Sequence, residues 1–288
     1  MPAPALHELA ERIGAIKVLD IPAKPLGKVV RKLVPAGPAK DALSGTWLGH
    51  ALHPLLTDVP IGTWTSAGLL DLVGGQDAQG AADLLVGAGI AAALPAIVTG
   101  YTEWADSELG DPAVRRIGIV HAVSNVTALG LYVASLAARR RGARTRGKLL
   151  GLAGAGALGA GGFLGGHLSY ARGVGVDATV FDATPEGWTE VARAGEPAEG
   201  EVRKVEVEGV AVALVRHGGE LFALADRCTH RGGPLSDGEL VEGCLQCPWH
   251  ASRFALTDGG VVRGPAFSPQ PAYGVREWNG VVEIGPPL

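Results

Sequence analysis

The sequence predicts an α + β chain of two domains, an N-terminal four-helix transmembrane bundle followed by an all-β domain that holds a metal centre. Three observations carry this. Long uncharged runs of Ala, Leu, Val and Gly fill the middle of the chain, and three of them are long enough to cross roughly 30 Å of hydrocarbon as helices. From Gly187 onward the composition turns charged and Val-rich, in short runs separated by turn residues, which reads as strands. Within that second region Cys228-Thr229-His230 and Cys247-Pro248-Trp249-His250 each bring one thiolate and one imidazole close together.

Composition narrows the class further. The 44 glycines follow no collagen-like period, and with 47% hydrophobic residues and few aromatics they suit helices packed closely in a membrane. A net charge of −4 gives no basic footprint for nucleic acid. There are three cysteines, Cys228, Cys244 and Cys247. If two of them bind metal, no intrachain disulfide remains, which suits a reducing compartment. The first twenty residues lack the apolar core and small-residue cleavage site of a secretory signal peptide.

Residues 1–46 are Pro-punctuated and carry Lys17, Lys24, Lys28, Arg31 and Lys32. They read as an N-terminal tail, solvated or with one short amphipathic helix on the membrane. Residues 47–170 form the four-span membrane domain. Leu84–Thr102, Ile117–Ala138 and Leu149–Tyr170 contain no charge, whereas the first span, near Leu55–Val73, contains Asp58 and Asp71. Trp47, Tyr101 and Trp104 lie near span ends, as interfacial aromatics do. In the fourth span Gly147, Gly151, Ala155 and Gly159 recur every four residues, followed by Gly162 and Gly166, and this stripe admits a close neighbour. Residues 171–186 are a connector. Residues 187–288 are the β domain, in which Gly218-Gly219 between two Val-rich runs signals a hairpin.

The second half-motif follows the first after sixteen residues. Spacing alone admits two centres: a structural zinc bound by two Cys and two His, or a [2Fe–2S] cluster with two Cys on one iron and two His on the other. The segment CTHRGGPLSDGELVEGCLQCPWHASRFALTDG resembles the Rieske family, with Gly-Gly-Pro-Leu after the first pair and Cys-Pro-x-His as the second. That resemblance favours the cluster over zinc and covers roughly residues 187–286. It implies Cys228, His230, Cys247 and His250 as ligands, two cluster-bearing loops on a three-sheet scaffold, and His ligands near the surface. The respiratory branch of the family joins its two loops by a disulfide. Here Gly232 and Gly233 stand near where the second Cys of the first loop would be, leaving Cys244 unpaired, so the chain looks like the ferredoxin-type branch. Ser252 matches the position of a hydroxyl beside a cluster sulfur, while Phe254 replaces a Tyr. One fewer donor to the sulfurs implies a low to intermediate reduction potential.

No histidine follows His250, so the two-His-one-carboxylate iron of a complete oxygenase is not expected. The Gly-rich run near 151–166 lies in an apolar span rather than after a strand, so it is not read as a dinucleotide fingerprint.

Residues 47–170 resemble a bacterial membrane family known as domain of unknown function 2231, on His53-Pro54-Leu55-Leu56-Thr57-Asp58-Val59-Pro60-Ile61-Gly62 and Gly166-His167-Leu168-Ser169-Tyr170. The residues themselves say more. Four antiparallel spans would put His53, Glu103, His121 and His167 on one side. Histidines in a membrane bundle are costly and commonly functional. His53, His121 and His167 suit a b-type haem, a quinone headgroup or a metal ion, and they equally suit interfacial groups bonded to water and backbone.

These features predict a membrane-anchored Rieske electron-transfer protein in the plasma or inner membrane, multi-pass and in contact with lipid. It would pass single electrons between its cluster and a quinol, a membrane cofactor or a soluble redox protein. A redox sensor and a tethered oxygenase ferredoxin are the other readings. The basic loop ARRRGARTRGK argues for one side as cytoplasmic, while Lys28, Arg31, Lys32, Lys40, Arg115, Arg116 and Arg172 argue for the other. The absence of a signal peptide and of a disulfide tips the expectation to a cytoplasmic Rieske domain.

Overall fold

The computed structural model describes residues 5–288. Seven α-helices come first: α1 Ala5–Ala15, α2 Asp20–Leu33, α3 Pro38–Ser44, α4 Leu52–Val73, α5 Gln79–Ser107, α6 Pro112–Arg140 and α7 Arg144–Gly166, which runs on into a π-helical turn, His167–Ala171. Ten strands follow: β1 Thr189–Arg193, β2 Val202–Val207, β3 Val210–His217, β4 Glu220–Ala225, β5 Glu239–Val241, β6 Cys244–Gln246, β7 Arg253–Ala255, β8 Val261–Arg263, β9 Ala272–Trp278 and β10 Val281–Pro287. The chain divides into two units. One holds α1, α2 and Leu52–Val174, and the other holds Pro35–Ala51 with Gly175–Leu288.

This division corrects the expected N-terminal tail. Ala5–Ala15 and Asp20–Leu33 are two helices packed on the bundle. Asp20 takes two hydrogen bonds from Arg116 at 3.0 Å each, Arg31 reaches Glu108 at 2.8 Å, and Gly14 lies against Ala113. Residues 35–51 instead belong to the β unit, where Asp41 accepts from the Gly264 amide and Thr46 donates to the Ala266 carbonyl. The compact helical unit takes in Leu52–Val174 beside α1 and α2.

Among the described residues, three helices are long and apolar enough to cross a membrane: Gln79–Ser107, Pro112–Arg140 and Arg144–Ala171. The expected count of four is not matched. α4 has the length, at 22 residues, but His53, Asp58, Asp71 and its hydroxyl side chains dilute its apolarity. α6 starts as its sequence dictates, with Asp111 capping the Ala113 amide at 2.7 Å and Pro112 in the first turn. The glycine stripe of α7 also differs from expectation. Gly147, Gly151, Gly154, Gly161 and Gly165 face α6, whereas Gly156, Gly159 and Gly162 meet nothing. Four residues turn a helix through 400°, so a strict four-residue repeat drifts by about 40° per step and cannot stay on one neighbour. Mixed spacing keeps the contact straight.

In the β unit, six strands form one sheet in the order β1-β10-β9-β4-β3-β2, and β5-β6-β7-β8 form a second. The three sheets implied by the family resemblance are thus two. Gly218 and Gly219, both with positive φ, close the expected hairpin between β3 and β4, with His217 opposite Glu220. The core beneath the cluster loops is Leu224, Leu235, Leu245 and Phe254, all inaccessible to solvent. The expected connector is folded onto the first loop, with the Ala178 amide on Thr229 O at 2.8 Å and Arg227 on Asp182 at 2.9 Å.

Candidate functional site

Two turns present the four candidate ligands. The first runs from β4 to β5. The Cys228 amide donates to Gly233 O at 2.9 Å, and the Gly232 amide returns to Cys228 O at 2.8 Å, with Gly232 at φ +75°. Gly233 has to be small, because a Cβ there would lie 3.0 Å from Cys247 Sγ and 2.9 Å from the Trp249 ring. The second turn links β6 to β7. The Cys247 amide donates to Ser252 O at 2.8 Å and the Ala251 amide to Cys247 O at 3.1 Å.

A buried glutamine braces the first turn. Gln270 donates to Ala225 O and Arg227 O, both at 2.7 Å, and accepts from the Thr229 amide at 3.1 Å. The Thr229 hydroxyl adds a bond to Ser268 O at 3.0 Å. Asp226 closes the far side of the turn by accepting from the Leu235 and Ser236 amides, each at 2.7 Å. Gln270 carries no motif that marks it in the sequence. Its one signal is its place between Pro269 and Pro271, which bring no amide hydrogen of their own.

The four residues come together as two pairs. Cys228 and Cys247 share a hydrogen bond, and the rings of His230 and His250 stand edge to face with centroids 5.0 Å apart. Among the described residues no three His, Cys, Asp or Glu side chains converge as they would on one ion. Two ligands per iron is the arrangement that a two-iron centre takes. His230 is 3% exposed, and neither of its ring nitrogens has a hydrogen-bond partner. Orphaned buried nitrogens are rare in folded proteins, and a metal held at one of these two would satisfy that one. Burial, with His250 and Arg231 adding to it, holds the His230 imidazole well below its ordinary pKa and therefore neutral, the form that binds metal. The Cys247 thiol is pulled down by the hydrogen bond from Cys228 and by the amides of Trp249 and His250, which favours a thiolate there. The expectation of His ligands near the surface is corrected for His230, which is buried; His250 is half-buried beside the exposed Trp249.

Ser252 is fully buried, and its hydroxyl oxygen accepts from the Ala266 amide at 3.0 Å, so its proton is left to donate elsewhere. Cys228, Cys244 and Cys247 are all free and buried.

Residues 187–276 match the Rieske [2Fe-2S] domain family, and residues 49–178 match a family described as "Predicted membrane protein (DUF2231)". The chain is 36% identical over 73 residues to the anthranilate 1,2-dioxygenase ferredoxin subunit of Burkholderia cepacia, covering 25% of this chain and 68% of the relative. It is 36% identical over 90 residues to the 3-phenylpropionate/cinnamic acid dioxygenase ferredoxin subunit of Escherichia coli (strain K12), covering 31% of this chain and 84% of the relative. The chain belongs to the Rieske [2Fe–2S] family. The solved ferredoxin of carbazole 1,9a-dioxygenase from Nocardioides aromaticivorans IC177 is similar at 26% identity, over 35% of this chain and 99% of that one, with a TM-score of 0.34. The Rieske domain is an electron-transfer module that holds a [2Fe–2S] cluster, and here it is joined to a helical domain with membrane-spanning character.

In that helical domain, His53, Glu103 and His121 line one cavity of about 440 Å³. His167, which the sequence grouped with them, lies outside the lining. The π-helical turn at the end of α7 carries its ring toward α1, where Nε2 is 2.9 Å from Glu11 and the ring is 5.1 Å from that of His7. The three histidines therefore do not converge.

Proposed function

We propose that this chain is a membrane-anchored Rieske electron carrier in which Cys228 and Cys247 hold one iron and His230 and His250 the other. The single observation that carries the ligand assignment is the buried His230 ring, with both nitrogens unpartnered, facing His250 beside a hydrogen-bonded thiol pair. When bound, the cluster supplies reversible one-electron transfer. The protein's own residues hold it and set its surroundings. Two thiolates and two neutral imidazoles leave the centre less negative than four thiolates would, which raises the potential. Phe254, with no hydroxyl, holds it back to a low or intermediate value.

The partner in this reading is a soluble redox protein, and the ferredoxin relatives support it through the oxygenases in their names. Docking occurs over Trp249 and His250. Trp249 is 49% exposed and its ring stands 6.4 Å from that of His250, so it is an aromatic anchor next to a ligand. α5, α6 and α7 fix the carrier in the plasma or inner membrane, with α4 as a fourth crossing packed along α5, and the Rieske domain on the cytoplasmic side. Protease protection in inverted vesicles checks that side.

The test uses full-length protein in lipid nanodiscs. The dithionite-reduced protein is mixed anaerobically with the oxygenase component of a Rieske-dependent dioxygenase, and its oxidation is followed by stopped-flow absorbance. Concentration-dependent oxidation is expected, slowed about tenfold by Trp249→Ala with an unchanged EPR spectrum. Protein that binds zinc in place of iron, or oxidation indifferent to Trp249→Ala, would sink the assignment or the docking face respectively.

A further inference from the structure

The cavity of the helical unit is a built site. Among the rings that line it, four are each seated on a glycine of a neighbouring helix. His53 lies over Gly100, where a Cβ would be 2.7 Å from the ring, and His121 lies over Gly165 at 3.0 Å. Trp64 covers Gly89 and Trp104 covers Gly118, each at 2.3 Å from the position of a Cβ. Gly89, which is not itself in the lining, seats a ring that is. A Cβ at any of these four glycines would force the ring over it to shift, so the glycines let four lining rings pack tightly on neighbouring helices beside a cavity of about 440 Å³. That volume falls in the range of small-molecule pockets.

The walls are mostly apolar, with Glu103, Asn125, Thr57 and Ser169 among the polar side chains in the lining. Both indole N–H groups are engaged by backbone carbonyls, Trp64 to Val86 O at 3.2 Å and Trp104 to Arg115 O at 3.3 Å, so these two lining residues offer a ligand apolar surface rather than a donor. His53 Nδ1 is 2.9 Å from Ala96 O, and a carbonyl only accepts, so Nδ1 carries the proton. The neutral ring then has a bare acceptor at Nε2, and that atom has no hydrogen-bond partner among the described residues. His121 is fixed in the same tautomer by Gly161 O at 2.8 Å, and its Nε2 is 3.2 Å from the Asn125 amide nitrogen. A mostly apolar cavity with a lone-pair acceptor at His53 Nε2 suits a ring that bears a hydroxyl donor.

We infer that this cavity binds the aromatic headgroup of a hydroquinol, with a phenolic hydroxyl donating to His53 Nε2 and the ring held against the apolar lining beside it. The reduced form is the matched one, because a quinone offers only acceptors to an atom that is itself an acceptor. The inference rests on the electron-carrier reading only for the use to which the ligand is put, and binding stands apart from electron transfer. His167, outside the cavity, takes no part.

Anaerobic titration calorimetry of the full-length protein in nanodiscs tests it, with trimethylhydroquinone as the probe. Dithionite is present throughout, so the cluster is reduced and no electron can leave the probe. Saturable binding is expected, at least tenfold weaker for the dimethyl ether of the same ring, a comparison that needs no variant. His53→Phe is expected to lose that preference and His167→Phe to keep it, with thermal unfolding of both variants followed to confirm that they fold. Trimethylbenzoquinone is titrated into the oxidised protein and is expected to bind at least tenfold more weakly than the hydroquinone. Equal affinity for hydroquinone and ether, or tighter binding of the quinone, would overturn the inference. So would a Soret band in the purified protein, since a haem would then occupy the histidines. If oxidation by the partner protein fails while the hydroquinone still binds, the carrier reading falls and the site remains.

Discussion

Gly233 shows how much one missing methyl group decides. Its Cβ would meet Cys247 Sγ and Trp249 at about van der Waals overlap, and the atoms it would meet belong to the opposite cluster loop. Gly233→Ala is expected to keep the β fold by circular dichroism but to lose most of its iron and sulfide per chain, because the two loops must part to admit the methyl. Ser252 acts through a proton rather than through space. Its oxygen accepts from the Ala266 amide, so the hydroxyl hydrogen would be the donor available to a sulfur of the bound cluster. A bond worth roughly 1.4 kcal/mol more to the reduced cluster corresponds to about 60 mV for one electron. Ser252→Ala is expected to lower the midpoint potential by about that amount in an EPR-monitored titration, and Phe254→Tyr to raise it similarly. The sequence made the ligands and Ser252 legible because they sit at fixed offsets within two short loops. Gln270 was not legible, because it braces Thr229 from forty-one residues away through backbone contacts that leave no local pattern.

At the level of elements, each helix pair was readable where small residues dominate and unreadable where a charge is buried. Arg139 reads from sequence as part of a basic loop, one of the residues that argue for a cytoplasmic face. In the fold its side chain is 1% exposed and bonds Asp71 and Asp83 from α4 and α5, while Ser135 joins its Nε at 3.1 Å. Arg144 also reaches Asp71 at 3.3 Å and Asp83 at 2.5 Å, so removing Arg139 leaves the two carboxylates to share one cation. Arg139→Ala is therefore expected to destabilise the bundle by about 1–3 kcal/mol, seen as a lower unfolding temperature in detergent, and Arg139→Ala with Arg144→Ala by more than the sum of the two single changes. The β3–β4 hairpin carries a pH dependence of its own. Glu199 accepts from the Gly218 and Gly219 amides at 2.6 and 3.0 Å, and these bonds, Gly219 first, hold its pKa below the ordinary glutamate value of 4.5. A depressed carboxylate stabilises the fold fully above the unfolded value and loses that contribution as pH falls through the folded one. The Gly218 amide shift in an NMR titration is expected to move with a midpoint below 4.5, and Glu199→Gln to abolish the titration.

Across the whole molecule, the chain passes between its two units at 34/35, 51/52 and 174/175 rather than once. A reading along the sequence sees a tail, a bundle and a β domain in order, because composition changes once at each boundary. It cannot see that residues 35–51 leave the helices and return, since the segment is short and its partners lie more than two hundred residues away. Those partners matter to the cluster. Thr46 donates to Ala266 O at 3.0 Å, and Ala266 in turn donates from its amide to Ser252 Oγ, while the Cys247 amide donates to Ser252 O. Asp41 accepts from the Gly264 amide at 3.1 Å, two residues earlier on the same stretch. An N-terminal segment thus reaches the second cluster loop through three consecutive hydrogen-bonded steps. Each of these side-chain bonds is worth about 1 kcal/mol. Asp41→Ala and Thr46→Val together are expected to speed cluster loss to a chelator several-fold, followed by the fall of visible absorbance. The helical content of the bundle should not change. If the double variant released iron at the wild-type rate, the segment would be a passive strap, and Ser252 would owe its position to the β unit alone.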